Sequence, residues 1–319
     1  MTRRRFATLD VFTDEPYAGN PLAVVLDSDG LDGPARQRIA REFNLSETVF
    51  VSPPAEARHR AALRIFTPAR ELPFAGHPTV GTAVLLALQD RGRADGAAGA
   101  DAFAFGLEEA IGTVPCVVEA GAGRGRARFR IPVLPTFLGE GPEPAALAAA
   151  LSLAPEDIGA GLHAPSRHGA GVAFTFVPVA SRDRLDAARV DAAALAALGA
   201  GFGELGPLYL YTPDPEGLGL RFQARMFAPH LGVPEDPATG SAAAAFAGVL
   251  MQFEPLGAGE HDVVLRQGLA MGRPSEIALQ LVIEDGALRS AEIGGAAVLI
   301  SEGTLVSEGT LAHEGALVA

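Results

Sequence analysis

The apolar residues of the chain fall into short alternating runs and two long unbroken ones. Phe6 to Phe12 (FATLDVF) and Ala23 to Leu26 have the aliphatic and β-branched character of strands, joined by a turn-rich Tyr17-Ala18-Gly19-Asn20-Pro21. Pro34 to Phe43 (PARQRIAREF) predicts an amphipathic surface helix ended by Asn44, and Thr48 to Val51 predicts a strand with Glu47 at its entrance. The two unbroken runs are Val80 to Leu88 (VGTAVLLAL) and Ala242 to Leu250 (AAAAFAGVL). A helix without a polar face belongs in a core, so each run predicts a buried helix. Between them the pattern predicts a loop from Gly92 to Ala100 and short strands through Cys116-Val117-Val118. Then follow a strand at Ala127–Ile131, a helix at Pro144–Leu151, a strand at Gly171–Pro178, a helix at Val190–Leu198 and a strand at Leu208–Tyr211.

Each buried run follows the same signature. Arg64-Ile65-Phe66-Thr67-Pro68 precedes His77-Pro78-Thr79-Val80-Gly81-Thr82-Ala83 by eight residues. Arg225-Met226-Phe227-Ala228-Pro229 precedes Asp236-Pro237-Ala238-Thr239-Gly240-Ser241-Ala242 by six. The Arg-apolar-Phe runs predict strands closed by an x-Pro step, and the second proline of each copy predicts a helix start. The two copies lie about half the chain apart, which predicts an internal duplication. Each half is then a sheet wrapped around one buried helix. By glycine content, Gly121 to Gly125 is the expected hinge, dividing the chain into domains of residues 1–121 and 122–319. The last strand, about residues 291–306, is expected to pack back on the first domain.

Two helix N-termini facing one gap carry unpaired N–H groups and partial positive charge, which suits a carboxylate-bearing ligand. His77 and Asp236 stand at those starts, with Thr82 and Ser241 expected one turn inside, and the backbone of Gly76 and Gly240 available to an anion. Glu47 has two readings: a solvated strand-end carboxylate, or a general base at the mouth of the cleft, its pKa raised by burial. Glu47 lies 17 residues before Arg64, and the same count from Arg225 reaches Leu208, so the second half has no matching carboxylate there, although Glu204 is close by. Asn20 is explained by turn chemistry, or by contact with a ligand. Arg273, in the turn Gly272-Arg273-Pro274-Ser275, neutralises an acidic group, which makes it an expected substrate contact, or decorates a surface turn.

Composition narrows the class. The 319 residues are 48% hydrophobic, enough for two cored domains. A net charge of −13 argues against nucleic acid and anionic membrane as partners, but a helix terminus can still hold a small anionic metabolite. The single Cys116 excludes an internal disulfide framework and fits a reducing cytosol; in TVPCVVEA it reads as a small buried hydrophobe. The basic Met1 to Arg5 stretch has no apolar run behind it, so no signal peptide is expected, and no apolar stretch reaches membrane-spanning length. No close-spaced His or Cys pair supports a metal site, and no strand leads into G-x-G-x-x-G for a dinucleotide. No cofactor is expected. The tail repeats Ser301-Glu302-Gly303-Thr304-Leu305-Val306 loosely at Ser307–Ala312 and His313–Val318, and predicts a terminal strand plus an extension without chemistry.

The blocks DVFTDEPYAGNPLAVV, NLSETVFV, RIFTPARELPFAGHPTVGTA, RMFAPHLGVPEDPATGSAAAA and QGLAMGRPSEI resemble the phenazine-biosynthesis PhzF-like family, in family order from Asp10 to Ile277. The resemblance implies the diaminopimelate-epimerase-like fold: α+β, with two pseudo-symmetric domains, each a β-barrel-like sheet around a central buried helix, and the active site between them. It implies cofactor-free isomerisation of trans-2,3-dihydro-3-hydroxyanthranilate by proton relocation, and a homodimer in the cytoplasm. The family's acid/base glutamate falls on Glu47, its histidine on His77, its aspartate on Asp236 and its serine on Ser241. Related epimerases and racemases use a cysteine at each helix start, where His77-Pro78 and Asp236-Pro237 are expected here, which disfavours a two-cysteine racemase. His230 stands where the family has glycine. An epimerase of amino or hydroxy acids, and a non-catalytic small-molecule-binding or interaction protein on the same fold, remain the alternatives.

Overall fold

In the computed structural model, which describes residues 2–93, 102–214 and 219–307, the chain repeats one strand and helix order twice. The first pass runs β1 (Thr2–Val11), β2 (Asn20–Val25), α1 (Gly33–Phe43), β3 (Glu47–Ser52), β4 (Ala61–Phe66), β5 (Glu71–Leu72), α2 (Gly76–Arg93), β6 (Ala102–Glu109), β7 (Gly112–Gly121) and β8 (Arg124–Arg130). The second begins with β9 (Thr136–Glu140), α3 (Pro144–Leu151), β10 (Ser166–Gly169), β11 (Ala173–Pro178), α4 (Arg182–Ala187), α5 (Ala192–Phe202) and β12 (Leu208–Pro213). It continues with β13 (Leu220–Ala228), β14 (Val233–Asp236), α6 (Gly240–Phe253), β15 (Gly259–Gln267), β16 (Ser275–Glu284) and β17 (Ala287–Ser307).

The repeat is one of pairing as well as order. In the first pass β2 and β3 are parallel, as are β4 and β6, with α1 and α2 as the crossovers. In the second, β11 and β12 are parallel, as are β13 and β15, with α4–α5 and α6 as the crossovers. The remaining neighbours are antiparallel, and β1-β2-β3-β4-β6-β7-β8-β17 closes on itself as an eight-strand barrel. Seven further strands together with β17, in the order β9-β10-β11-β12-β13-β15-β16-β17, pack around α6. The fold is therefore α+β, with a sheet around each of two central helices.

The apolar runs explain why those two helices sit inside. Val80, Ala83, Val84, Leu85, Leu86 and Ala87 of α2 are all buried, as are Ala242 to Ala247, Val249 and Leu250 of α6. Phe246 is the one large side chain midway along α6. Its ring meets Tyr211 and Phe222 edge-on, with centroids 4.9 and 5.0 Å away. Smaller apolar layers lie outside: α1 with Val25, Phe50 and Phe66, and α3 and α5 with Val177, Leu210 and Phe227. The α1 cap follows its sequence: Asp32 accepts from Ala35 N–H at 2.7 Å, and Asn44 closes the helix in the left-handed region at φ 52°.

The structure corrects several expectations. Gly121 to Gly125 is no hinge: Ala122 and Gly123 are the left-handed centre of a two-residue hairpin turn, at φ 51° and 77°. The domain boundary at 121/122 therefore cuts a hairpin. Strand β8 completes the first barrel, because its far edge pairs with Glu292–Val298 of β17, so the first lobe runs on to Arg130. Strand β17 is shared, pairing with β16 at its start and with β1 from Ala297 to Ser307. The expected Gly92–Ala100 loop begins too early, because α2 continues to Arg93; residues 94–100 lie outside the described residues. The helix expected from Val190 starts at Ala192, behind Asp191, which accepts from Ala194 N–H at 2.8 Å. In the tail, Ser301–Val306 continues β17, and the echoes beyond Ser307 lie outside the described residues. Among the described residues no helix is long and apolar enough to cross a membrane.

Candidate active site

The N-termini of the two central helices touch. A Cβ built on Gly76 would lie 2.9 Å from Gly240 Cα, and one built on Gly240 would lie 3.0 Å from Gly76 Cα. Only glycine allows this approach, and it brings two sets of orphan N–H groups to one place. The contact also fixes the symmetry, matching Gly76 with Gly240 and therefore His77 with Ser241. The sequence alignment of His77 with Asp236 is thus corrected. Helix α2 starts before Pro78, at Gly76, while Asp236 ends β14, four residues ahead of α6. The residues entering the helices are Ala75-Gly76 and Thr239-Gly240, neither with a cysteine.

Glu47 and His77 face each other there, with His77 Nε2 3.4 Å from Glu47 Oε2. Glu47 opens β3 beside Leu22 of β2, and its side chain keeps 17% exposure against 5% for His77. Neither Glu47 Oε2 nor His77 Nε2 has a hydrogen-bond partner in the protein. Burial, and then the neighbouring Asp236 charge, pushes the Glu47 carboxyl up to about 8, with its residual exposure tempering the push. Burial pushes His77 down to about 3, so its ring is neutral at ordinary pH. The solvated strand-end reading of Glu47 is set aside.

Asp236 is the best-supported group of the set. Thr239 Oγ1 donates to its Oδ2 at 2.6 Å, while Asn20 Nδ2 and Ser46 Oγ donate to its Oδ1 at 3.0 and 3.4 Å. Burial raises its carboxyl to about 6 despite those donors. Gln267, fully buried, donates to the Asp236 carbonyl at 2.7 Å and to Thr239 Oγ1 at 3.0 Å, and accepts from Thr239 N–H at 3.2 Å. Asn20 also donates to Ala238 O at 2.9 Å, so a first-lobe amide spans to the second lobe. Ser241 is the second residue of α6 and is half-buried.

Two sequence-expected contacts lie elsewhere. Thr82 is six residues into α2, about 9 Å down the axis at 1.5 Å per residue, and fully buried in the core. Arg273 is spent within the protein on Asp10, Ala18 O and Gly19 O, so it does neutralise an acid, though one outside the ligand gap. Its expected place as a substrate contact is corrected accordingly. His230 is exposed in a short 3-10 turn.

The sequence reading missed Ser46, Thr239, Gln267 and the buried carboxyl of Glu109. Thr239 sat inside the motif and could have been flagged as a capping residue; nothing local marks Gln267. Glu109 lies beneath the first turn of α2, where Thr79 Oγ1 is 2.7 Å from Glu109 Oε1 and 2.8 Å from Ala75 O. It is 8% exposed, and burial raises it to about 8 against the opposing Thr79 bond. Cys116 is buried too, and burial and then Glu109 push its thiol upward, away from the thiolate a nucleophile needs. The count that matched Glu47 to Leu208 is off by one: Phe50 pairs with Arg64 and Leu210 with Arg225, which sets Pro207 opposite Glu47 in the repeat. The second half still has no carboxylate matching Glu47.

Comparison with known proteins agrees along almost the whole chain. The family model for phenazine biosynthesis-like proteins, PhzC-PhzF, matches residues 9–303. An uncharacterized isomerase of Mesorhizobium japonicum is 46% identical over 95% of this chain and 99% of its own. The trans-2,3-dihydro-3-hydroxyanthranilate isomerase of Pseudomonas aeruginosa is 35% identical over 94% of this chain and 98% of its own. A Bacillus anthracis phenazine biosynthesis protein of the PhzF family superposes with a TM-score of 0.82 at 24% identity, covering 96% of this chain and all of that one, a likeness of fold.

Proposed function

We propose, from the premise that the chain belongs to the PhzC-PhzF family of phenazine biosynthesis-like proteins and is an isomerase, that Glu47 relocates a proton on a small carboxylate-bearing substrate held between the two central helices. The observation that carries the reading is Glu47 itself: a carboxyl with a raised pKa, facing a neutral histidine where two helix N-termini meet. Its proton affinity near the working pH suits a group that must both take and give a proton.

The steps follow from the residues. The substrate carboxylate docks on the N–H groups of Gly76, His77, Gly240 and Ser241, where partial positive charge and unpaired donors coincide. Glu47, once ionised, removes a proton from one carbon, breaking that C–H bond, and the electron pair spreads into the conjugated system. The same carboxylic acid returns the proton to a second carbon, so the substrate is isomerised with no net gain or loss. His77 stays neutral and steadies the developing charge by hydrogen bonding. Asp236, fixed by Thr239, Asn20 and Ser46, orients a donor group of the substrate. Ser241 supplies a hydroxyl from the position that matches His77 in the repeat. The trans-2,3-dihydro-3-hydroxyanthranilate of the Pseudomonas relative is the reference substrate, and a cytoplasmic homodimer without cofactor is the expected working form.

The test is Glu47→Gln, with trans-2,3-dihydro-3-hydroxyanthranilate as substrate in deuterated water. The wild type is expected to place deuterium on carbon during turnover, and the variant to lose about 10²-fold or more of that rate, the usual size of a general acid–base contribution. Unchanged incorporation in the variant removes Glu47 from the mechanism. A wild type that binds the compound without exchange at carbon favours a binding role over catalysis.

A further inference from the structure

The segment between β1 and β2, residues Phe12 to Gly19, leaves the first barrel to bond the second lobe before the chain returns to it at Asn20. It holds three left-handed residues: Phe12 at φ 63°, Tyr17 at 68° and Gly19 at 64°. For the two that are not glycine such backbone is disfavoured, so surrounding bonds must hold it in place. Several do, and they come from second-lobe residues or the shared β17. Phe12 N–H donates to Ala296 O at 2.7 Å, Glu276 N–H donates to Phe12 O at 2.7 Å, and Gly19 N–H donates to Pro274 O at 3.0 Å.

Arg273 ties the strap at its far end. Its Nε donates to Gly19 O at 2.7 Å, and its Nη2 donates to Ala18 O at 2.6 Å and to Asp10 Oδ1 at 2.5 Å. Asp10 is 4% exposed, and its other oxygen accepts from Tyr17 N–H at 2.6 Å. One guanidinium thus compensates a buried first-lobe carboxylate and holds the two carbonyls that lead into Asn20. The fixed fork of arginine can do this; a single ammonium cannot span the same acceptors.

We infer that Arg273, with Asp10, is a positioning residue, an interlobe clamp that holds Asn20 so that its amide reaches Asp236 and Ala238 across the gap. Its catalytic consequence rests on the isomerase reading above; the clamp itself does not. Asn20 is one of three side-chain donors on Asp236, and each favours the charged carboxylate. The titratable neighbours of Asp236 are Glu47 on β3 and Tyr209 on β12; the Arg273 side chain reaches Asp236 through the carbonyls leading into Asn20, while its backbone N–H donates to Gly268 O, next to Gln267.

The experiment follows Asp236 by ¹³C NMR of its side-chain carboxyl in the ligand-free protein, assigned by Asp236→Asn. Arg273→Lys keeps a charge beside Asp10 but lacks the fork. The clamp requires that Arg273→Lys and Asn20→Ala each raise the Asp236 titration midpoint, by about 0.5–1 unit, and that the double variant moves no further than Asn20→Ala. If Arg273→Lys does not fold, Arg273→Gln with Asp10→Asn removes both charges together and must give the same rise. An unchanged midpoint in the folded variant, or additive shifts in the double variant, overturns the inference. With the reference substrate, kcat is expected to fall about 10- to 100-fold in Arg273→Lys with KM changed less. If the NMR shift occurs but no turnover is found in any form, the clamp stands and the isomerase reading fails.

Discussion

Glu109→Gln isolates one buried carboxyl and gives a stability change that can be worked from its surroundings. Glu109 lies under the helix turn that carries His77, and glutamine keeps both its shape and an oxygen for Thr79. In the unfolded chain the carboxyl ionises near its ordinary 4.5, while in the folded protein burial holds the proton to about 8. The folded state therefore binds the extra proton between those two values. Stability from this group is fully present below the unfolded value and is lost as pH rises toward the folded one. At 1.36 kcal/mol per unit, the wild type should lose about 3 kcal/mol relative to the glutamine variant between pH 5 and pH 8. Urea unfolding followed by far-UV circular dichroism measures this, since the chain has no tryptophan to report by fluorescence. Other titrating groups cancel in the difference between the two proteins. A gap that stays constant from pH 5 to pH 8 would mean that Glu109 is ionised in the folded state, and the argument from burial would fail.

Gly240→Ala places a methyl group 3.0 Å from Gly76 Cα, against backbone that cannot swing aside. A net loss of about 1–2 kcal/mol is expected, overpacking outweighing the helix propensity gained, together with weaker carboxylate binding measured as a raised KM. Phe246→Ala empties the centre of the ring cluster made with Phe176, Tyr209, Tyr211 and Phe222, and should cost about 3–5 kcal/mol by chemical denaturation. A cost below about 1 kcal/mol would mean that the cluster closes over the gap.

The duplication was legible because both copies kept the two signals that sequence carries best, an Arg-apolar-Phe strand and a helix apolar on every face. Its register was not. Matching by residue type set His77 against Asp236, whereas the touching glycines set His77 against Ser241, a slip that no local preference could reveal. Glu47 was visible as a lone acid before an apolar strand, but the groups that face it and raise its pKa, His77 and Asp236 among them, are distant in sequence. Glycine content misled at one place and not at another. The Gly121–Gly125 run reads as a linker, yet its left-handed Ala122-Gly123 makes a tight hairpin. Gly295 and Gly303 lie inside the expected last strand, and β17 does run through both, because Phe12 and Phe6 rings occupy the space a side chain would need, within 2.4 and 2.6 Å of a Cβ there. Arg273 was seen to face an acid, but which acid depended on a strap whose path only the folded chain defines.

The sharing of β17 has a bearing on synthesis. The first barrel is sealed on one side by residues 292–307, which leave the ribosome about 170 residues after β8 at Arg124–Arg130 and nearly three hundred after β1. Until then β1 and β8 each present an open edge to the cell, and α2 lacks part of its cover. The nascent chain must wait for β17 before either lobe can finish, so a truncation ahead of Ala287 should yield two unsealed sheets and aggregated protein, with no free-standing first lobe to recover.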